Sequence, residues 1–222
     1  MKILVTGGLG FIGSHTVVEL QNAGYEVVVI DDLSNASVEV LDGIEAITGK
    51  KPEFEKLDLR DRNAVSAFFK KYADVSGAIH FAASKAVGES VHKPLLYYEN
   101  NLSSLVFLLK ELTEKASANF IFSSSCTVYG QADELPITEN APVKPAESPY
   151  GNTKQIGEEI IRDTAKVYEN FNAIALRYFN PIGAHASAKI GELPLGIPQN
   201  LVPYITQTAA GIREQLQVYG ND

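Results

Sequence analysis

Tyr150 and Lys154 stand four residues apart in Tyr150-Gly151-Asn152-Thr153-Lys154, the spacing that puts two side chains on one face of a helix. A lysine ammonium beside a phenol favours the phenolate, so the pair is expected to lower the tyrosine pKa from its ordinary value near ~10. That would bring Tyr150 toward general acid/base strength at neutral pH. Tyr-x-x-x-Lys by itself is common and more often a surface pair. Upstream, however, Ser123-Ser124-Ser125-Cys126-Thr127-Val128-Tyr129-Gly130 follows an apolar run. A serine at a strand's carboxyl end faces the ligand crevice of a doubly wound sheet. There it is placed to bind a substrate hydroxyl and relay its proton.

The second constellation is Thr6-Gly7-Gly8-Leu9-Gly10-Phe11-Ile12-Gly13, after one apolar run and at the start of a helical pattern. Glycines at 7, 10 and 13 allow a tight turn, close backbone approach to a pyrophosphate and close helix–strand packing. The free amides of the helix start would face the phosphates. Asp31, first of the pair Asp31-Asp32, follows Gly13 by 18 residues, near where an acid hydrogen-bonds an adenosine ribose. Its charge would repel a 2′-phosphate, so the expected dinucleotide is NAD. Asp58, expected to end a third strand, reads equally well as a group at the adenine edge and as a helix N-cap with Asp61. His80-Phe81-Ala82-Ala83 closes another strand with small residues, open either to a cofactor or to a packed helix. His80 is read as a satisfied core histidine, and His15, His92 and His185 show no metal spacing. No metal is expected.

The elements that must hold these groups alternate along the chain. Apolar runs at Ile3–Val5, Val27–Ile30, Ala78–Phe81 and Phe120–Phe122, and a β-like segment at Asn172–Tyr178, read as strands covered on both faces. Helical patterns fill the intervals at Phe11–Ala23, Val38–Thr48, Arg62–Tyr72, Leu95–Lys115 and Pro149–Glu169. This is an α/β chain with a doubly wound parallel sheet and helices on both faces. Composition changes near Asn180, where Pro181, Pro194, Pro198 and Pro203 crowd together with Gly183, Gly191 and Gly196. Residues 1–179 are read as the dinucleotide-binding domain and 180–222 as the start of a second, incomplete lobe. That lobe is expected to hold one amphipathic helix, Leu201–Gln215, and a strand, Leu216–Tyr219.

Composition narrows the field. The chain has 222 residues, 45% of them hydrophobic and 21% charged, with 19 basic against 27 acidic side chains and a net charge of −8. A basic surface for nucleic acid is disfavoured. The single cysteine, Cys126, excludes an internal disulfide framework and suits a reducing compartment. No apolar run approaches the ~18 residues of a membrane span, and Ile3-Leu4-Val5 is too short for a signal-peptide core. A soluble, cytoplasmic protein is expected.

Longer stretches then carry a resemblance: TGGLGFIGSH (6–15), HFAASKAVGESV (80–91), YYENN (97–101), FSSSCTVYG (122–130), SPYGNTK (148–154), RYFNPIGAH (177–185) and GIPQNLVPYI (196–205). In order and spacing they resemble the extended short-chain dehydrogenase/reductase superfamily, and within it the UDP-glucose 4-epimerase family, over essentially the whole chain. The resemblance implies a Rossmann-type fold with Ser125, Tyr150 and Lys154 as catalytic trio. It assigns NAD contacts to Gly7, Gly10, Phe11, Ile12, Gly13, Asp31, Asp32, Leu33, Ser34, Asn35, Asp58, Leu59, Phe81, Ala82, Ala83, Lys85, Asn100, Tyr150, Lys154 and Phe179. It assigns substrate contacts to Lys85, Ser125, Tyr150, Asn180, Asn200, Leu201 and Tyr219.

The implied reaction interconverts UDP-glucose and UDP-galactose, oxidising the sugar at C4 and re-reducing it on the opposite face with a retained NAD. Ala186-Ser187-Ala188 stands where the family commonly has Pro-Ser-Gly, and members continue well beyond residue 222. Related dehydratases carry an Asp-Glu pair where this chain has Cys126-Thr127, which counts against elimination of water. A UDP-uronate or UDP-N-acetylhexosamine 4-epimerase, and a non-catalytic NAD-binding module, are the alternatives. A homodimer is expected through the two long helices, where Leu102, Leu105, Val106, Leu109 and Leu112 recur at helical spacing. The other reading of those leucines is packing on the chain's own sheet.

Overall fold

A computed structural model describes residues 1–198, 200–218 and 220. Six parallel strands form one sheet in the order β3-β2-β1-β4-β5-β6: β1 (Lys2–Thr6), β2 (Glu26–Asp31), β3 (Glu53–Lys56), β4 (Val75–His80), β5 (Ala118–Ser123) and β6 (Phe171–Leu176). The order reverses between β1 and β4, and a crevice opens there at the strands' carboxyl ends.

Each strand feeds both layers because successive side chains point to opposite faces. Leu4, Val28, Ile30, Ala78 and Phe120 join one core with α3 (Arg62–Lys71), α6 (Ser104–Thr113) and α7 (Pro149–Val167). Ile3, Val5, Val27, Val29 and Ile79 join the other with α1 (Phe11–Asn22) and α2 (Val40–Thr48). On that second side β6 is bare, with Ile174 60% and Leu176 41% exposed.

Five elements depart from expectation. β3 carries the charged residues Glu53, Glu55 and Lys56, so it shows no apolar run. The expected helix Leu95–Lys115 is divided: α5 (Pro94–Tyr98) passes into a π-helical turn, Glu99–Ser103, before α6. A π turn inserts an extra residue and re-aims the side chains beside it. Helix α4 (Val87–His92) was not anticipated, whereas α8 (Leu201–Ala209) is shorter than expected and is followed by Gly211 at φ +75°. Residues 216–218 are irregular rather than a strand, and Tyr219 lies outside the described residues.

The leucines expected at a dimer face are largely core. Leu105, Leu109 and Leu112 are buried on the sheet, leaving Leu102 and Val106 half-buried. The segment after residue 180 turns back onto the layer of α1 and α2. Ile190 is buried against α2, where a Cβ on Gly43 would meet Lys189 O at 2.6 Å.

Candidate functional site

The glycine turn is built for close approach. Gly7 has φ +64°, and a Cβ there would stand 2.7 Å from Ala82 N; a Cβ on Gly13 would stand 2.2 Å from Gly7 O. Gly10 is the N-cap of α1 with no side-chain cap, so the first-turn amides at Phe11 and Ile12 keep their donors free. Backbone that no Cβ may enter, beneath an uncapped helix start, fits a dinucleotide's pyrophosphate.

Asp31 ends β2 and is buried. Its Oδ2 accepts from Leu9 N at 3.2 Å and its Oδ1 from Leu33 N at 3.0 Å, tying the glycine turn to the next loop. Burial pushes its pKa up against those two amides. Asp32 is exposed and accepts from Ser34 N at 2.8 Å; Ser34 and Asn35 lie exposed beside it. Leu33 sits at φ +63°, unusual for a branched side chain.

Asp58 lies two residues past β3 and holds the Arg60 guanidinium on both oxygens, which keeps its carboxyl below the usual range. The helix N-cap is Asp61 alone, accepting from Asn63 N and Ala64 N. Leu59 is buried between them.

Phe81, Ala82 and Ala83 line the loop after β4, half-buried, with Lys85 exposed further on. Asn100 sits half-buried on the π turn and donates to Ser84 Oγ at 3.0 Å. His80 is a core residue as expected. Its Nδ1 pairs with Thr6 Oγ1 at 2.7 Å, and burial, with Lys154 nearby, holds its pKa down at about 3. Among the described residues no His/Cys/Asp/Glu cluster is suited to a metal.

Helix α7 begins at Ser148-Pro149, where Ser148 Oγ accepts from Gly151 N at 3.1 Å and proline takes the first helical position. Tyr150 is therefore in its first turn, with Lys154 one turn on. Ser125 caps the short 3₁₀ turn Cys126–Tyr129 after β5, its Oγ accepting from Thr127 N at 3.2 Å. The Ser125 hydroxyl stands on the Tyr150 side of this turn and favours the phenolate of Tyr150. Lys154 Nζ donates to Ser123 O at 2.7 Å and lies 5.7 Å from the Tyr150 ring centroid. The three groups converge beside the crevice.

Their electrostatics differ from expectation. Burial pushes Tyr150 up to about 12, with the Ser125 hydroxyl working the other way. Burial holds Lys154 down at about 8. The expected lowering of the tyrosine does not occur because loss of water from the phenolate wins. The ammonium meanwhile spends its hydrogen bond on a backbone carbonyl.

Beyond β6, Phe179 and Asn180 are exposed. Asn200 caps α8 without a side-chain cap bond and donates instead to Glu192, whose carboxylate lies 4.0 Å from Lys85 Nζ. Leu201 is 71% exposed. Asn200 and Lys85 are thus linked through Glu192, whereas Tyr219 falls outside the described residues.

The structure also brings in groups the sequence reading passed over. Tyr178 shares a short hydrogen bond with Ser123 Oγ, and Thr127 Oγ1 is buried without a partner among the described residues. Glu158, one turn past Lys154, accepts from Ser124 Oγ at 2.5 Å and from Arg177 at 2.9 and 2.6 Å. Its four-residue spacing from Lys154 was the available signal. Asn101 is buried against Ser84 and Thr153.

The model of the NAD dependent epimerase/dehydratase family matches residues 3–221. UDP-glucose 4-epimerase of Haemophilus influenzae is 51% identical over 222 residues, all of this chain and 65% of that protein. A crystal structure of UDP-glucose 4-epimerase from Bifidobacterium longum in complex with NAD+ and UDP superposes with TM-score 0.95 at 46% identity, covering 99% of this chain and 65% of that one. The enzyme from Stenotrophomonas maltophila, with bound NAD and formylated UDP-arabinopyranose, gives 0.93 at 46% identity and the same coverages. The chain thus spans 65% of the length of these relatives.

Proposed function

We propose, from the premise that this chain belongs to the NAD dependent epimerase/dehydratase family, that it interconverts UDP-glucose and UDP-galactose by transient oxidation at sugar C4. The observation that carries this reading is the convergence of Ser125, Tyr150 and Lys154 at the end of β5. Only β4 separates that strand from the glycine turn after β1. The curated relatives at about half identity carry the same activity in their names.

NAD is the group the family uses, and the glycine cradle and buried Asp31 fit it. When bound, it supplies a cationic ring that accepts a hydride and gives it back. The first-turn amides of α1 would hold its diphosphate, and Asp31 would take the adenosine ribose. Phe81, Ala82, Lys85, Asn100 and Phe179 would add further contacts to NAD.

Tyr150 Oη takes the proton of the sugar 4-hydroxyl, directly or through Ser125 Oγ, and returns it to the same oxygen once the turned sugar is re-reduced at C4 on its opposite face. A phenol near pKa 12 is a poor base at neutral pH, so the reading requires cationic charge at the nicotinamide as well as at Lys154. Lys154, at about 8, stays largely protonated at neutral pH and hydrogen-bonds the nicotinamide ribose. Asn180, Asn200, Leu201 and Tyr219 hold the uridine diphosphate while the sugar turns over, so remote binding energy retains the intermediate. In this reading residues 1–179 are the cofactor domain, and the substrate lobe begins at 180.

The protein acts in the cytoplasm as a homodimer through the outer faces of the π turn with α6, and of α7, where Leu102 on the turn and Val106 on α6 remain half-buried. Among the described residues no helix is long and apolar enough to cross a membrane. Sedimentation showing monomer alone at micromolar protein removes the dimer.

Proton NMR of purified protein given UDP-galactose without added NAD tests the activity. UDP-glucose is expected to accumulate, and Tyr150→Phe is expected to abolish turnover while keeping NAD. Absence of product from protein that carries NAD overturns the reading.

A further inference from the structure

Asn101, on the π turn, touches both the loop after β4 and helix α7, and its side chain is saturated. Its Oδ1 accepts from Ser84 N at 2.8 Å and from Asn100 Nδ2 at 3.2 Å. Its Nδ2 donates to Ser84 O at 3.0 Å and to Thr153 Oγ1 at 3.0 Å. Thr153 in turn donates to Tyr150 O at 2.7 Å. An amide side chain has two acceptor and two donor sites, and Asn101 uses all four while 6% exposed.

The geometry points to Asn101 as a positioning residue that makes the cofactor loop 81–85 and the catalytic turn of α7 one rigid unit. Two features support this. The pair of bonds to Ser84 N and O fixes that residue's backbone as a strand partner would, and the loop it fixes abuts the glycine turn at Ala82. The π turn Glu99–Ser103 supplies the offset: its loosened carbonyls at Asn100 and Asn101 are taken up by Ser104 Oγ. Asn100 thereby reaches Ser84 Oγ while its neighbour reaches α7. π turns recur at functional sites, where such re-aiming is needed. Buried polar groups joined this fully are costly to break, because each orphaned partner loses its hydrogen bond.

The inference rests on the proposed function for its turnover arm alone; the cofactor arm stands without it. Asn101→Leu keeps the volume and removes all four bonds. The expected result is about 10- to 100-fold weaker NAD binding by calorimetry, the scale of a small misplacement at a site. Faster hydrogen exchange confined to peptides covering 81–90, with those of β1 and β2 unchanged, separates positioning from general loss of stability.

Thr153→Val leaves the bonds of Asn101 to Ser84 and removes the link to α7 together with the Thr153 bond to Tyr150 O. It is expected to lower kcat severalfold with KM for the UDP-sugar and NAD affinity held. Parental NAD affinity together with parental exchange in folded Asn101→Leu overturns the inference. If Asn101→Leu does not fold, Thr153→Val decides: a lowered kcat at unchanged KM supports the clamp, and parental kcat refutes it. If the parent binds NAD but turns nothing over, the proposed function fails, and the calorimetric and exchange comparison still decides Asn101.

Discussion

Glu158 Oε1 accepts a hydrogen bond from Ser124 Oγ at 2.5 Å, so the helix that carries Tyr150 and Lys154 also grips the strand end that carries Ser125. The grip is reinforced from β6. Arg177 holds both Glu158 oxygens, and its guanidinium lies 4.9 Å from the Tyr129 ring centroid. Burial works to raise the Glu158 carboxyl, but the bonds from Arg177 and Ser124 together leave it below the usual range.

Breaking one member of a buried pair strands the other, so Glu158→Leu is expected to cost about 3 kcal/mol. Urea unfolding measures this. Adding Arg177→Met should return part of the loss, because the orphaned charge is then gone; a double variant no more stable than Glu158→Leu contradicts the account.

Gly13→Ala places a methyl 2.2 Å from Gly7 O, in backbone that has no side chain to yield. Loss of detectable NAD binding and about 1–3 kcal/mol of stability are expected. Gly24→Ala, whose Cβ meets nothing within 4 Å but whose φ is +84°, serves as control: strained, yet still able to bind NAD.

Asp31→Asn removes the charge that disfavours a 2′-phosphate while leaving an oxygen for Leu9 N or Leu33 N. The ratio of NADP to NAD affinity should rise by roughly tenfold or more, since like charges brought together cost several kcal/mol. Calorimetry with both dinucleotides gives the ratio, and an unchanged value would mean that Asp31 acts only as a brace.

Buried His80 sets an acid limit. Its folded pKa is depressed to about 3 against about 6.5 unfolded, so between these values the unfolded chain binds the extra proton. Stability is fully present above pH 6.5 and falls as pH drops toward 3, by about 1.4 kcal/mol per pH unit for one proton. Urea midpoints from pH 7 to 4.5 should fall less steeply in His80→Leu than in the parent; parallel slopes would remove His80 as the cause.

Local chemistry made much of this protein legible. Continuous apolar runs announced β1, β2, β4 and β5, because a strand buried on both faces must be apolar throughout. Ser148-Pro149 announced the start of α7 by capping rules. The glycine spacing foretold the cradle because Gly7, at φ +64°, and Gly13, against Gly7 O, have no room for a Cβ.

What remained hidden depends on contacts between distant residues. β3 is charged and lies at the edge of the described sheet beside β2, so no apolar run marks it, and its end falls two residues before Asp58, where the third strand is expected to close. The π turn arises where Asn101 must meet both Ser84 and Thr153, a demand set by two segments far away in sequence. Lys154 at i+4 from Tyr150 was readable, but the direction of the tyrosine's shift was not. Spacing decides which side chains share a face, whereas burial decides which charge state water no longer supports, and burial belongs to the folded whole.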